Sequence, residues 1–496
     1  MISFSLSRDE FLSRSNDQEP VLLSAHRADD LTTPVAAFLA LAHGKSNAFL
    51  LESVEGGAWR GRYSAIGFDP DFVWGMDGGK PFTVMPDETG QGERAPDGDD
   101  ALASMRRAIK TARLALPEGT PPIAAGLFGY VGYDMIRAVE RLQGNAADPL
   151  GLPQALLMRP RVMTVFDALK QDVTVYVPIR PGAASPGDAY DAACARIHAV
   201  FDDLDTPRPK TGDVKPAPGT TPRSNMEPET YKAGVERLRQ HILAGDIFQG
   251  VLSQRFETPF PHTPFALYRA LRRLNPSPFL FHFQFSGFAI TGSSPEILVR
   301  LRDDTVTVRP IAGTRPRGQT PAQDDALEAD LLADPKERAE HMMLLDLGRN
   351  DAGRVTKPGS IRITDRETVE RYSHVMHIVS NVEGDLADGE DAVSALMAGF
   401  PAGTVSGAPK VRAMEILDEV EPHARGIYAG AVGYFSANGD MDTCIALRTA
   451  VIKDGQMHVQ AGAGVVLDSD PESEHCETIN KARALFRAAA EAHNFA

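Results

Sequence analysis

Two spacings of apolar residues, every second position and every third or fourth, divide this chain into short strands and amphipathic helices. Residues 1–205 read as strands and helices in alternation. Residues 47–54 and 62–67 are short apolar strands, and an acidic, glycine-rich loop is expected from about Asp77 to Asp100. Residues 101–114 have helical spacing with basic residues on one side. Residues 123–133 (IAAGLFGYVGY) mix glycines with aromatics, which suits tightly packed strands, and 162–167 with 173–177 predict a pair joined by a polar turn. Residues 206–223 are dense in Pro, Gly and Thr with almost nothing to bury. The expected organisation is therefore an N-terminal region 1–205, a linker 206–225 and a C-terminal region 226–496.

The C-terminal region is patterned more tightly. A helix over 228–244 stops at Gly245, and strands follow over 247–256, 279–285 and 288–291. Gly292-Ser293-Ser294-Pro295-Glu296 is then a turn that projects a carboxylate from a strand end. A strand over 306–311 runs into Ala312-Gly313-Thr314-Arg315, and one long helix over 326–346 carries Glu337, Glu340 and His341 at helical spacing. A strand over 375–382 and a helix over 392–397 precede a small-residue turn, 403–410, and a helix over 411–419. Strands are expected over 429–435, 443–451 and 456–461. The last leads through Ala461-Gly462-Ala463-Gly464, where no large side chain guards the amides, to a polar turn and a helical segment. There Glu474 and Glu477 share a helix face, with Lys481 one turn on.

Composition narrows the class. A 496-residue chain with 43% hydrophobic and 24% charged residues is that of a globular protein with one large core or two to three ordinary ones. A net charge of −16 argues against nucleic acid as the main partner, yet leaves room for small anions met by local cations. The widely spaced cysteines 194, 444 and 476 form neither a disulfide framework nor a zinc pattern. No stretch is apolar enough for a signal peptide or a membrane span, so a cytoplasmic enzyme is expected.

Two same-interval carboxylate pairs, Glu337/Glu340 and Glu474/Glu477, stand out. Carboxylates held side by side repel unless a cation lies between them, and a hard cation with open positions beside an anionic substrate suits magnesium. Glu296 is a further acidic position. Lys410, Arg448 and Lys481 are possible cationic anchors, with His377 and Tyr428 as polar ones. Each alone reads better as an exposed acidic helix start, a structural ion pair or a core histidine, and spacing by itself does not decide otherwise.

Longer motifs separate these readings. LLES (50–53), GDIFQGVLSQRF (245–256), NPSPF (275–279), GSSPE (292–296), PIAGTRPRG (310–318), DPKERAEHMMLLDLGRND (334–351), VMHIVSNVEG (375–384), GTVSGAPKVRAMEI (403–416), YAGAVGYF (428–435), DTCIALRTA (442–450) and the stretch 461–481 occur in this order. They resemble the chorismate-utilising enzyme family, on its anthranilate synthase component I branch, across nearly all of 226–485 and thinly before it. The resemblance implies an α+β fold of large antiparallel sheets packed as a sandwich with helices outside. It implies Mg²⁺ held by Glu337, Glu340, Glu474 and Glu477, with Glu340 and Glu477 ranked as direct ligands. Chorismate would be fixed by Gly313, Thr314, Tyr428, Arg448, Ala463, Gly464 and Lys481, beside Thr404. Glu296 would protonate the departing C4 hydroxyl, and His377 would serve the later loss of pyruvate.

The same resemblance orders the branches. Family members that add water carry a lysine base where this chain has Gln249, and makers of aminodeoxychorismate carry a lysine nucleophile at the position of Ala312. Both departures imply amination to anthranilate, with an aminodeoxychorismate synthase and a non-catalytic tryptophan-binding protein as the alternatives. No cysteine elbow for glutamine hydrolysis is visible, so a glutamine amidotransferase subunit is expected to supply ammonia, with a heterotetramer implied by resemblance. An inhibitory tryptophan site is implied at Leu51, Glu52, Ser53, Asn275, Pro276, Pro278, Phe279, Leu280 and Cys444.

Overall fold

The computed structural model describes residues 2–14, 19–53, 61–87, 90–142, 144, 147–182, 184–206, 221–371 and 375–495. Most of the expected linker, 207–220, lies outside the described residues, as does Val54 of the first predicted strand.

Among the described residues, 23 strands join one hydrogen-bonded network whose strand-to-strand pairings are antiparallel. Strands from both sides of the linker meet in it: Ala48–Glu52 pairs with Phe279–Gln284, and Gly126–Val131 with Ala431–Ser436. The strand Gly126–Val131 explains the glycine–aromatic mixture. Phe128 and Tyr130 enter one core with Phe49, Phe283 and Phe285, while Leu127 and Val131 enter another with Trp74, Met105 and Phe435. Both faces being buried, neighbouring strands must approach closely. A Cβ on Gly129 would stand 1.9 Å from the Leu156 carbonyl oxygen, so only glycine fits. Helices close the outer faces. Pro34–Leu41 and Pro186–Asp205 cover one core, Pro264–Leu274 and Pro471–Glu491 a second, and Pro228–Leu243 with Lys410–Val420 a third. The result is the expected α+β arrangement.

Several expectations about elements change; the strand expected over 306–311, for one, is split between Thr305–Val308 and Ile311–Pro316. The loop expected over 77–100 contains strands Lys80–Val84 and Arg94–Pro96, the first paired to the long strand Tyr63–Asp77. Charge and glycine masked its short apolar core, Phe82. The long helix over 326–346 is two helices, Pro321–Ala333 and Pro335–Gly353, because Asp334 turns extended and caps the second. The strand over 443–451 is two, Met441–Ile445 and Thr449–Lys453, interrupted where Arg448 takes φ +46°. The strand Arg362–Arg371 and the helix Pro264–Leu274 had no predicted counterpart.

Candidate active site

A cavity of about 1100 Å³ opens where the strand ends converge on the two helices that carry the paired carboxylates. Its lining includes Glu296, Gly313, Thr314, Glu337, Glu340, His377, Thr404, Tyr428, Arg448, Gly464, Glu474, Glu477 and Lys481. Residues spread over nearly two hundred positions thus reach one space. Ala463 is fully buried within its strand and does not line it. Lys410 is also elsewhere: its ammonium is committed to Asp351, with both Nζ–O distances 3.0 Å.

The helix positions follow from local sequence. Asp334 accepts hydrogen bonds from the Lys336 and Glu337 amides, so the second helix starts just before its carboxylates. Asp470 does the same for Pro471–Glu491, accepting from the Ser473 amide at 2.9 Å. Glu337 and Glu340 are thereby set in the first turns of one helix, Glu474 and Glu477 in those of the other. Their mutual field is visible in protonation. Burial, with the charges of Glu337 and Glu477 behind it, raises the carboxyl of Glu340, and burial followed by the Glu477 charge raises that of Glu474. Such a set of hard oxygen donors from two elements fits a divalent cation. Lys481 spans the gap to the strand, 2.7 Å from Glu477 Oε1 and donating to the Gly462 carbonyl at 2.9 Å.

Glu296 lies between strands Phe288–Ser294 and Ile297–Arg302, anchored through its carbonyl, which accepts from the Ile445 amide at 3.1 Å. Its carboxyl is buried, which pushes the pKa from 4.5 to about 8 against the opposing pull of the Thr404 hydroxyl (3.2 Å) and the Arg448 charge. It is therefore a proton donor near neutral pH. His377 Nδ1 is 2.9 Å from the Gly313 carbonyl oxygen, which can only accept, so Nδ1 carries the proton and Nε2 is the basic nitrogen. Burial keeps this imidazole below its ordinary pKa and hence neutral. Arg448 and Ala429, which follows Tyr428, both hold left-handed backbones, φ +46° and +64°. Such strain outside glycine is uncommon and here falls on one lining residue, Arg448, and directly after another, Tyr428.

Gln249 also lines the cavity, and its buried Oε1 finds no hydrogen-bond partner among the described residues. A Cβ on Gly464 would come within 2.7 Å of its amide nitrogen, so glycine makes room for this side chain. Ala312 supplies only a methyl group to the wall.

A second cavity, about 350 Å³, is lined by Leu51, Glu52, Ser53, Pro278, Phe279, Leu280 and Cys444, together with Tyr63, Ile123 and Val432. Asn275 and Pro276 do not line it; Asn275 ends the preceding helix and bonds Ser293. Glu52 is engaged by Arg272 at 2.7 Å and by the Tyr268 hydroxyl. Pro295 and Ile311 line both cavities, a juxtaposition that no motif in the sequence signals.

Comparison with known proteins places this geometry. The family model described as chorismate binding enzyme matches residues 47–487. Anthranilate synthase component 1 of Cereibacter sphaeroides is 56% identical over 477 residues, covering 96% of this chain and 95% of that protein. The Pseudomonas putida protein of the same name is 47% identical, covering 98% of each. The crystal structure of anthranilate synthase component I from Streptococcus pneumoniae superposes with a TM-score of 0.77 at 36% identity, over 92% of this chain and 98% of that one. A menaquinone-specific isochorismate synthase of Escherichia coli shares the fold at 20% identity and a TM-score of 0.70, over 97% of this chain and 98% of its own. The chain belongs to the chorismate binding enzyme family, among the anthranilate synthase component 1 proteins.

Proposed function

We propose that this chain is the aminating component of an anthranilate synthase, converting chorismate and ammonia to anthranilate, pyruvate and water. The observation that carries the reading is the joint lining of one cavity by a protonated carboxyl, a neutral imidazole, the cations Arg448 and Lys481, and two helix-borne carboxylate pairs. Glu337, Glu340, Glu474 and Glu477 would hold Mg²⁺, with Glu340 and Glu477 in direct contact. When bound, the ion supplies positive charge for the ring carboxylate of chorismate. Arg448, Lys481, Tyr428 and the Gly464 backbone take the substrate's carboxylates, beside Gly313 and Thr314.

Ammonia attacks C2, the two ring double bonds shift, and the C4–O bond breaks as Glu296 delivers its proton, so the hydroxyl leaves as water. Ammonia needs no lysine base, in keeping with Gln249. His377 Nε2 is the basic nitrogen suited to take the C2 proton. The C3–O bond then breaks, the enolpyruvyl group departs as the enolate of pyruvate, which takes up a proton at its methylene carbon, and the ring becomes aromatic. A glutamine amidotransferase subunit would deliver ammonia in a heterotetramer, in the cytoplasm, at the first committed step of tryptophan biosynthesis. The second cavity would take tryptophan as inhibitor, its indole against Leu51, Pro278, Phe279 and Leu280.

Purified chain given chorismate, Mg²⁺ and ammonium salt at alkaline pH should release anthranilate, read by fluorescence, and pyruvate, read by coupled reduction, in equal amounts. Isochorismate, salicylate or 4-amino-4-deoxychorismate as the main product would overturn the assignment.

A further inference from the structure

Behind the cavity, outside its lining, a buried ion pair ties four of its walls together. Arg425 and Glu421, 4% and 8% exposed, face each other one helical turn apart in chain spacing, Nη2 to Oε1 at 2.6 Å and Nε to Oε2 at 2.8 Å. Arg425 also donates to the carbonyls of Val405 and Val251, both at 2.6 Å. Its guanidinium lies 4.7 Å from the Tyr133 ring centroid and 5.7 Å from that of Tyr428. Glu421 Oε1 accepts from the amide and the hydroxyl of Ser253, both at 2.8 Å, and the Ser253 hydroxyl accepts from Gln460 Nε2 at 2.8 Å. Val251, Val405, Tyr428 and Gln460 all line the cavity, and Val405 follows the threonine whose hydroxyl meets Glu296.

Stability is a poor reason for such a pair, since well-packed apolar residues of similar volume commonly serve as well or better. What apolar residues cannot do is fix two carbonyls, a serine and an aromatic ring from separate segments in one geometry. We infer that Arg425 and Glu421 are a positioning pair for the reaction, setting Thr404 against Glu296 and Tyr428 against the substrate. The inference rests on the functional reading above and adds to it two residues that touch no substrate.

The test separates folding from positioning. Arg425→Met alone should lower the melting temperature, because it strands the Glu421 carboxylate. Glu421→Leu combined with Arg425→Met removes the stranded charge and should regain part of that loss, the Val251 and Val405 carbonyls still lacking their donor, while kcat, measured well below the melting temperature, stays about tenfold to a hundredfold down, as expected of an ångström-scale misplacement. Arg425→Lys keeps the charge but has too few donors for every acceptor, and should lose kcat more than it raises KM for chorismate. In a Thr404→Val background the Arg425→Lys loss should shrink, since both act on one contact. Parent turnover in the double variant, measured well below its melting temperature, or in Arg425→Lys, would reduce the pair to a structural one. Full additivity with Thr404→Val would overturn the route through Thr404. An inactive Glu296→Gln beside a fully active Arg425→Lys overturns this inference alone, whereas an active Glu296→Gln overturns the functional reading with it.

Discussion

A carboxyl that must release a proton near neutral pH works best with a pKa close to the working value. Burial gives Glu296 one of about 8, and the Thr404 hydroxyl at 3.2 Å restrains the rise. Two outcomes follow at this scale. Glu296→Gln keeps the shape but removes the proton, so kcat should fall by about two to four orders of magnitude with little change in KM; turnover within threefold of the parent would remove Glu296 from the acid role. The pKa also predicts a stability trend. Below 4.5 the carboxyl is protonated in both folded and unfolded chains; between there and about 8 the unfolded chain ionises while the folded one holds its proton. The unfolded state therefore binds fewer protons in that window, and stability falls as pH rises through it. Relative to Glu296→Gln, the parent's melting temperature, measured without magnesium, should decline from pH 4.5 to 8 and level off above.

At the scale of elements, the paired carboxylates owe their placement to helix starts. Asp334 and Asp470 cap the two helices, and Arg315 reinforces the first by holding Asp334 at 2.7 Å and Glu337 at 3.4 Å. Glu340→Gln and Glu477→Gln each remove one unit of charge from the proposed metal set. Each should raise the Mg²⁺ concentration for half-maximal turnover by about tenfold or more. Unchanged magnesium titrations in both variants would reassign the site. Asp334→Ala should cost about 1 kcal/mol of stability in thermal or denaturant unfolding through loss of the cap alone, and should weaken magnesium response because the first turn carries Glu337.

Across the whole molecule, the two cavities share the wall formed by Pro295 and Ile311, and Pro295 immediately precedes Glu296. A ligand that fills the smaller cavity therefore contacts the segment that presents Glu296. If tryptophan is that ligand, its coupling to chorismate must be reciprocal: each should weaken the other's binding by the same factor. Ser53→Phe fills the smaller cavity from its rim and should give an active enzyme that tryptophan no longer inhibits. Calorimetric titration of the parent with and without chorismate measures the factor, and a Ser53→Phe enzyme as sensitive as the parent would move the inhibitor site elsewhere.

Sequence alone determined what depends on local spacing or on long uninterrupted motifs. Pro228–Leu243 forms a helix because its apolar stripe is continuous, and Gly245 follows its end; the strand pair around Val162 and Val173 follows from alternation across a polar turn. The paired carboxylates, Glu296, His377, Tyr428 and Arg448 were legible as candidates because the motifs that carry them are long and ordered. Local pattern failed where tertiary contacts override it. Arg448 breaks an otherwise even apolar run because its backbone turns left-handed at the cavity wall, and Asp334 splits an otherwise continuous helical pattern by capping a new start. Lys410 was indistinguishable from a substrate anchor until Asp351, 59 positions away, claimed it in the interior. The common wall of Pro295 and Ile311, the room Gly464 leaves for Gln249, and the four-way hold of Arg425 all join segments remote in sequence. No periodicity encodes such meetings, because burial and hydrogen-bond satisfaction are settled only when the sheets and helices close around one another.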